Sequence, residues 1–207
     1  MAETVPSSGP RADPSPGDAV DLRQLLSGCV SLCRSAMAVV REVQREREAG
    51  AALEATMKDP TDSRTYLTKA DTRAQRVIVE GLRAKFPQVA VVGEEEEEEE
   101  GEEAAAGIVE RAAPVVDTGL CDDMGVPEEL RRPLAAPDLC VFVDPVDGTR
   151  EFVEGRLEAV ECLLGVAYRG RAVAGVMGLP FYDDTLAVPA VASQACGRVV
   201  YGIVGAV

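Results

Sequence analysis

The sequence predicts a fold that contains both helices and strands, in which helical segments come first and strand segments follow. Two segments near the N-terminus carry apolar residues at helical spacing, and the last third of the chain carries short apolar runs separated by glycine-containing turns. With 207 residues and 46% hydrophobic content, the chain is long enough for one domain with a real core, or for part of a larger one.

Two helices are predicted before residue 90. The first begins near Asp21 and ends before Gly50, and it carries a stripe of apolar residues at helical spacing: Leu22, Leu25, Leu26, Cys29, Cys33, Met37 and Val40. The second begins near Asp71 and is stopped by Pro87. The stretch "MKDPTDSRTYLT" between them is rich in turn-forming residues and predicts a loop.

Strand signals begin with "VAVVG" at 89–93, which ends directly at a run of glutamates. "LCVFVDPVDG" predicts another strand, and "TREFVEGR" after it predicts a short helix or turn. Two apolar runs on either side of "YRGR" predict an antiparallel hairpin in which Gly170 has a positive φ. "TLAVPAVA" at 185–192 and the segment 197–207 predict two further strands.

The charge is unevenly distributed. The net charge is −15, but nine of the 36 acidic residues lie in the single run 94–103, so the folded part is less acidic than the average. A surface of this sign repels phosphate backbones, and we expect no nucleic-acid partner. We interpret about 96–137 as an exposed acidic insertion with one short helix, and 1–18 as a disordered tail that precedes the domain at 19–207.

The chain has no apolar stretch of membrane-spanning length, and its N-terminus lacks the pattern of a targeting peptide. The six cysteines form no CxxC pair, and those at 29 and 33 fall one helical turn apart, which favours core thiols in a reducing compartment over disulfides or a zinc site. We therefore expect a cytoplasmic protein that does not contact membranes. Because histidine is absent, catalysis would depend on carboxylates, hydroxyls or metal ions.

Acidic residues occur at the ends of predicted elements. Asp71 lies at the start of the second helix, Glu94 follows one predicted strand, and Asp144 and Asp147 end another. Carboxylates in such positions suit Mg²⁺, which prefers oxygen ligands, with waters and substrate phosphates completing its shell. Each residue alone also has a simpler explanation: a turn for the aspartate pair, solvated surface for Glu94 and an N-cap for Asp71.

The stretch "DPVDGT" combines several useful features. Its proline fixes the chain direction, so that Asp144 and Asp147 can converge while the Val146 carbonyl points inward. Gly148 allows the backbone to approach a ligand, and Thr149 begins a helix whose free N–H groups favour anions. The sequence thus predicts a metal site and a phosphate site at one place.

Three motifs, in order, resemble the metal-site motifs of the inositol monophosphatase superfamily of lithium-sensitive phosphatases: "YLTKADTRAQ", "VVGEE" and "VDPVDGTREFVEG". The resemblance covers roughly residues 20 to 207 apart from the acidic insertion. It implies an α+β fold with N-terminal helices and an antiparallel sheet in a layered αβαβα sandwich, dependence on Mg²⁺ and a small phosphorylated substrate. Within this superfamily, the resemblance implies hydrolysis of adenosine 3′,5′-bisphosphate to AMP and phosphate, with an inositol polyphosphate as the alternative substrate.

The resemblance also implies a role for each site residue. One Mg²⁺ would be held by Glu94, Asp144 and the carbonyl of Val146, and Asp144 would bridge to a second ion held also by Asp147. Thr149, hydrogen-bonded to Asp71, would take a proton from the attacking water. The backbone amides of Gly148 and Thr149 would hold the phosphate.

Members of this superfamily continue beyond the matched region, with a second sheet and another metal-binding aspartate in a "WD" context. This chain has no Trp. We therefore expect it to be the N-terminal part of such a domain, with the C-terminal layers missing and the second metal short of a ligand. The alternative from another class is a non-catalytic acidic protein whose glutamate run binds cations or basic partners loosely. The oligomeric state is left open.

Overall fold

The structure is a computed structural model that describes residues 18–53, 55–57, 66–95, 121, 123–182 and 197–206. The α-helices in these ranges are α1 (Leu22–Glu48), α2 (Lys69–Lys85), α3 (Glu128–Arg131) and α4 (Thr149–Glu154), and two short 3₁₀ helices span Ala136–Asp138 and Leu157–Ala159. The strands are β1 (Ala19–Val20), β2 (Thr56–Met57), β3 (Tyr66–Leu67), β4 (Ala90–Gly93), β5 (Leu134–Ala135), β6 (Leu139–Asp147), β7 (Glu161–Tyr168), β8 (Arg171–Leu179) and β9 (Arg198–Ile203). The predicted α+β class is confirmed.

The main sheet has five strands in the order β4-β6-β7-β8-β9. Strands β6 to β9 are antiparallel neighbours, as the sequence predicts, whereas β4 pairs with β6 in parallel. The sheet is therefore mixed. The parallel pair has a consequence for function, because the C-terminal end of β4 and that of β6 lie at the same edge of the sheet.

Helices α1 and α2 pack against each other and against one face of the sheet. The apolar stripe predicted for α1 is buried in full, and the side chain of Asp21 caps its first turn by accepting hydrogen bonds from the backbone N–H groups of Arg23 and Gln24. The alternate residues Leu139, Val141 and Val143 of β6 are buried in the same core. This period of two leaves Phe142 and Asp144 on the opposite face of the sheet.

Within the described ranges, no helix covers that opposite face. Four of its apolar side chains are between 39% and 50% exposed: Val92, Phe142, Met177 and Val200. They come from four different strands, and the strand register places Val92 opposite Phe142 and Met177 opposite Val200. The described part of the sheet is thus solvent-exposed on one side.

Three predicted features differ in detail from the structure. The turn-rich segment between the first two helices contains the short pair β2–β3 at its two ends. In the hairpin, Arg169 as well as Gly170 has a positive φ. The C-terminal part of the predicted insertion is not exposed, because Val126, Leu130 and Leu134 are buried in the core. Apolar residues at this end belong to the domain, although the composition around them is mixed.

Several other predictions fall outside the described residues: the disordered tail as far as residue 17, the glutamate run from 96 onward, and the strand at 185–192. Among the described cysteines all are free thiols, and four of them are buried: Cys29, Cys33, Cys121 and Cys162. The prediction of core thiols is confirmed for these four. No helix in the described ranges combines the length and the apolar composition needed to cross a bilayer.

Candidate active site

Asp71 is buried at the N-terminal end of α2, where its two carboxylate oxygens have different partners. Oδ2 accepts hydrogen bonds from the backbone N–H of Thr68 at 2.8 Å and from the hydroxyl of Thr68. The Thr68 hydroxyl in turn accepts from the N–H of Ala70. Thr68 is therefore the N-cap, and the alternative of Asp71 as N-cap is wrong: Asp71 is the third helical residue and completes a capping box.

Oδ1 of Asp71 faces Thr149, the first residue of α4. The Thr149 hydroxyl lies 2.9 Å from Asp71 Oδ1 and 2.9 Å from the carbonyl oxygen of Val146. A hydroxyl carries one proton and two lone pairs, so it can donate to only one of these two acceptors at a time. When the Thr149 hydroxyl donates to Asp71, the lone pairs of its oxygen can accept a proton from a group other than Asp71 and Val146.

Burial raises the pKa of the Asp71 carboxyl, and the hydrogen bonds from Thr68 and Thr149 partly oppose that effect. A carboxylate in low dielectric is a stronger base than one in water, because its charged form is poorly solvated. Asp71 is thus a better proton acceptor than a surface aspartate, and it is held in a fixed orientation by Thr68.

The end of β6 explains how Asp144 and Asp147 can act together. Residues three apart on a regular strand point to opposite faces, but the pairing with β7 skips here: Asp144 is opposite Leu163, and Asp147 is opposite Glu161. Three steps on β6 match two on β7, which is a β-bulge with one extra residue. Because Leu163 and Glu161 are two residues apart on β7, they point to the same face of the sheet, and the two aspartates opposite them point to that face as well.

The turn after β6 depends on Gly148. This residue has φ = 85°, in the left-handed region that favours glycine, and a Cβ at this position would lie 2.5 Å from the carbonyl oxygen of Ala159. Helix α4 follows at once. Its C-terminal end is bound by Arg47 of α1, whose guanidinium donates to the carbonyl oxygens of Phe152 at 2.9 Å and Val153 at 3.0 Å.

Glu94 is exposed at the end of β4, beside Asp144. Its backbone N–H donates to the carbonyl oxygen of Val143 at 2.9 Å, which extends the parallel pairing by one residue. Glu94 and Asp144 both line an open groove of about 300 Å³ together with Phe142 and Leu163. Two carboxylates from neighbouring parallel strands therefore meet at one edge of the sheet.

A second glutamate, Glu95, is bound through its backbone to α2. The side-chain amide of Gln75 donates from Nε2 to the Glu95 carbonyl oxygen at 2.7 Å, and its Oε1 accepts from the Glu95 N–H at 2.9 Å. Gln75 is buried, one helical turn after Asp71. This contact joins the helix that carries Asp71 to the strand end that carries Glu94.

The structure thus joins Asp71, Thr149 and the Val146 carbonyl by direct hydrogen bonds, and places Glu94 next to Asp144. In the described ranges, no group of three or more acidic or cysteine side chains is close enough together to hold a metal ion. The ligands predicted for the first Mg²⁺ are two carboxylates and a carbonyl, and the ligand set itself stays a prediction.

Sequence reasoning missed Thr68, Gln75 and Arg47. The spacing of Thr68 and Asp71 is that of a capping box and could have been recognised. Gln75 and Arg47 have no local signal, because their partners lie 20 and 105 residues away in the chain and depend on the tertiary arrangement.

The carboxylates of Glu94 and Asp144, at the shared end of β4 and β6, lie within a segment whose sequence matches a known protein family. The model of the inositol monophosphatase family matches residues 21–203. The chain therefore belongs to the inositol monophosphatase family, and the resemblance seen in its motifs is confirmed.

Among curated proteins, the chain is 33% identical over 191 residues to human 3′(2′),5′-bisphosphate nucleotidase 1, an alignment that covers 89% of this chain and 54% of that protein. It is 30% identical to the Dictyostelium discoideum protein of the same name, over 90% of this chain and 56% of that one. The chain spans about half the length of these relatives.

Solved structures similar to this chain include CysQ from Bacteroides thetaiotaomicron, described as a bacterial member of the inositol monophosphatase family. The identity is 18% and the TM-score 0.47, over 77% of this chain and 43% of that one. An IMPase from Thermotoga maritima is 21% identical with a TM-score of 0.46, over 84% and 49% of the two chains. The family assignment rests on the sequence match.

Proposed function

We propose that this chain carries the catalytic carboxylates and the phosphate-binding turn of a Mg²⁺-dependent phosphatase that removes the 3′-phosphate of adenosine 3′,5′-bisphosphate. The observation that carries the proposal is the hydrogen-bonded series Asp71–Thr149–Val146 carbonyl beside the paired strand ends with Glu94 and Asp144. The names of the curated relatives support the nucleotide as substrate.

The donor types at this site, carboxylates and a backbone carbonyl, are those that a hard divalent cation prefers. Glu94, Asp144 and the carbonyl of Val146 would hold the first ion, and Asp144 with Asp147 the second, with waters and substrate oxygens as the remaining ligands. The Val146 carbonyl has a second lone pair besides the one that accepts from Thr149. When bound, Mg²⁺ would supply charge to neutralise the phosphate and lower the pKa of a bound water.

The residues of this chain would manage the proton of the attacking water. Thr149 accepts that proton on its oxygen and releases its own proton to Asp71 Oδ1, so no net charge builds up on the hydroxyl. Asp71 is suited to receive the proton because burial raises its pKa. Thr68 holds the other oxygen of Asp71 in place during the transfer.

The turn at Gly148 and Thr149 would bind the phosphate. The first N–H groups of a helix have no partner within that helix, and they can donate to phosphate oxygens. Gly148 allows this turn to pass close to the carbonyl oxygen of Ala159 because it has no side chain. The same turn therefore presents donors to the phosphate and the Thr149 hydroxyl to the water.

The test is phosphate release from adenosine 3′,5′-bisphosphate and, in parallel, from an inositol polyphosphate. It uses the 207-residue chain and a version extended by the C-terminal half of a relative. We expect the extended version to hydrolyse the nucleotide only with Mg²⁺, to be inhibited by lithium, and to be faster than the short chain. Equal turnover in excess chelator would refute the metal-dependent mechanism, and preference for the inositol substrate would refute the substrate assignment.

Asp144→Asn is the sharpest variant for this test, because it keeps the shape of a residue proposed to contact both ions and removes its charge. We expect activity to fall by several orders of magnitude, about 10³-fold or more. Asp123→Asn is the matched control, since Asp123 is exposed and outside the site. Similar losses in both variants would mean that the site is misplaced.

A further inference from the structure

Gln75 makes a contact that the proposed mechanism does not use. Its side chain is only 5% exposed, and its amide both donates to and accepts from the backbone of Glu95, at 2.7 Å and 2.9 Å. Among uncharged side chains only a primary amide offers a donor and an acceptor in this paired geometry. The Gln75 amide therefore forms with the backbone of Glu95 the same pair of hydrogen bonds that a residue on a neighbouring strand would form.

The reason for such a contact lies in the position of β4. On the β6 side the N–H of Glu94 donates to Val143, and successive backbone groups of an extended chain point to alternate sides. The backbone of Glu95 therefore points away from β6. β4 is an edge strand within the described sheet, so no strand there pairs with it on that side, and Gln75 supplies the hydrogen bonds instead.

Gly93 is part of the same arrangement. A Cβ at residue 93 would lie 2.4 Å from Oε1 and 2.7 Å from Nε2 of Gln75. Real Cβ atoms are not found this close to other heavy atoms, so any larger residue at 93 would displace the amide. The glycine of "VVGEE" is thus required for the approach of Gln75.

We infer that Gln75 is a positioning residue that fixes the Glu94 carboxylate relative to Asp144 and thereby sets the affinity of the site for a divalent cation. The chain at Glu94 is held on one side by Val143 and, one residue later, on the other by Gln75. Because Gln75 and Asp71 share α2, the contact also fixes the distance between the proposed proton acceptor and the proposed metal ligand. The inference rests on the proposed function, in which Glu94 binds the metal.

The experiment compares Gln75→Met with Gln44→Met in the 207-residue chain. Methionine has nearly the shape of glutamine but cannot make the two hydrogen bonds. Gln44 is the matched control because it is also a buried glutamine on a helix, 7% exposed, with its Nε2 bound to Glu48 on the same helix. Mg²⁺ affinity is measured by calorimetry, thermal unfolding by circular dichroism, and amide hydrogen exchange at Glu95 by NMR.

We expect Gln75→Met to weaken Mg²⁺ binding by roughly tenfold or more, as changes to residues that orient metal ligands do. Gln44→Met should stay within about twofold of the unmodified chain. Exchange at the Glu95 amide should accelerate in the first variant only. Equal Mg²⁺ affinities in the two variants, or unchanged exchange at Glu95, would overturn the inference, because the effect would then be absent or a general loss of stability.

A third variant, Glu94→Gln, separates this inference from the proposed function. If Glu94→Gln leaves Mg²⁺ affinity unchanged, Glu94 is not a ligand, and the proposed metal site fails whatever Gln75 does. If Glu94→Gln weakens binding and Gln75→Met does not, the proposed site stands and the positioning role of Gln75 is wrong.

Discussion

Replacing Gly148 by alanine adds a methyl group at a position with no room for it. The added Cβ would lie 2.5 Å from the carbonyl oxygen of Ala159, which is a backbone atom and cannot rotate away like a side chain. The residue also has φ = 85°, a conformation that side chains disfavour. Gly155, at the other end of α4, offers a matched control: its φ is 81°, but no atom lies within 4 Å of the Cβ position.

The two sites separate the backbone penalty from the clash. Gly155→Ala should lower the free energy of unfolding by about 1–2 kcal/mol, which is the penalty for placing a residue with a side chain in the left-handed conformation. Gly148→Ala should cost the same amount plus an overpacking penalty of about 1–3 kcal/mol. We therefore expect Gly148→Ala to be the less stable variant by about 1–3 kcal/mol.

Urea unfolding followed by far-UV circular dichroism measures this difference. Phosphate release by the extended version provides the second measurement, because relief of the clash at Gly148 moves Thr149 away from Asp71. A displacement of this kind costs about 100-fold in rate, whereas Gly155→Ala should retain most activity. Equal stability of the two variants, or full activity in Gly148→Ala, would show that the turn is not tightly packed against Ala159 and that our reasoning is wrong.

Three further predictions concern residues around the site. Lys69, 2.9 Å from Glu46, lowers the pKa of the Glu46 carboxyl, so the stabilisation is present above about pH 4.5 and is lost as the pH falls below it. Glu46→Gln should thus cost less than about 1 kcal/mol in the free energy of unfolding at neutral pH and still less at pH 3, as urea titrations at both pH values would reveal. Gly93→Ala should displace the Gln75 amide and lower the free energy of unfolding by about 2 kcal/mol. Because both changes break the same contact, the double variant with Gln75→Ala should lose less than the sum of the two single losses, and additive losses in urea titrations would argue against the contact. Burial raises the pKa of Cys33 to about 12, so iodoacetamide should alkylate this thiol in urea but not in the native protein. Peptide mass spectrometry detects the product, and equal alkylation under both conditions would contradict the burial of Cys33.

The helices and the main strands could be predicted from the sequence because their signals are local. The stripe that begins at Leu22 has a clear helical period, and the runs on either side of Gly170 have the turn that a hairpin requires. The parallel pairing of β4 with β6 could not be predicted in this way. It joins residues 50 positions apart, Ala90 and Cys140, and strand composition does not encode direction.

The candidate site was predictable for a related reason. Asp71, Asp144 and Thr149 lie at the ends of elements with strong local signals, so their approximate placement follows from the elements. The β-bulge that brings Asp144 and Asp147 to one face was not predictable, since it is defined by the partner strand β7. Val126 and Leu130 illustrate the opposite error, because mixed composition around them suggested an exposed segment although both are buried.

The capping box at Thr68 gives the Asp71 carboxylate two tasks, one for each oxygen. Oδ2 fixes the first turn of α2, and Oδ1 faces Thr149. Enzymes commonly gain stability when a catalytic residue is replaced, because active-site groups are often held in unfavourable surroundings. Position 71 differs in this respect, because replacing Asp71 would weaken the first turn of α2 and would also remove the proposed proton acceptor. Selection for a stable helix and selection for the proposed activity would therefore preserve the same side chain, so a substitution that trades this activity for stability would have to occur at another position.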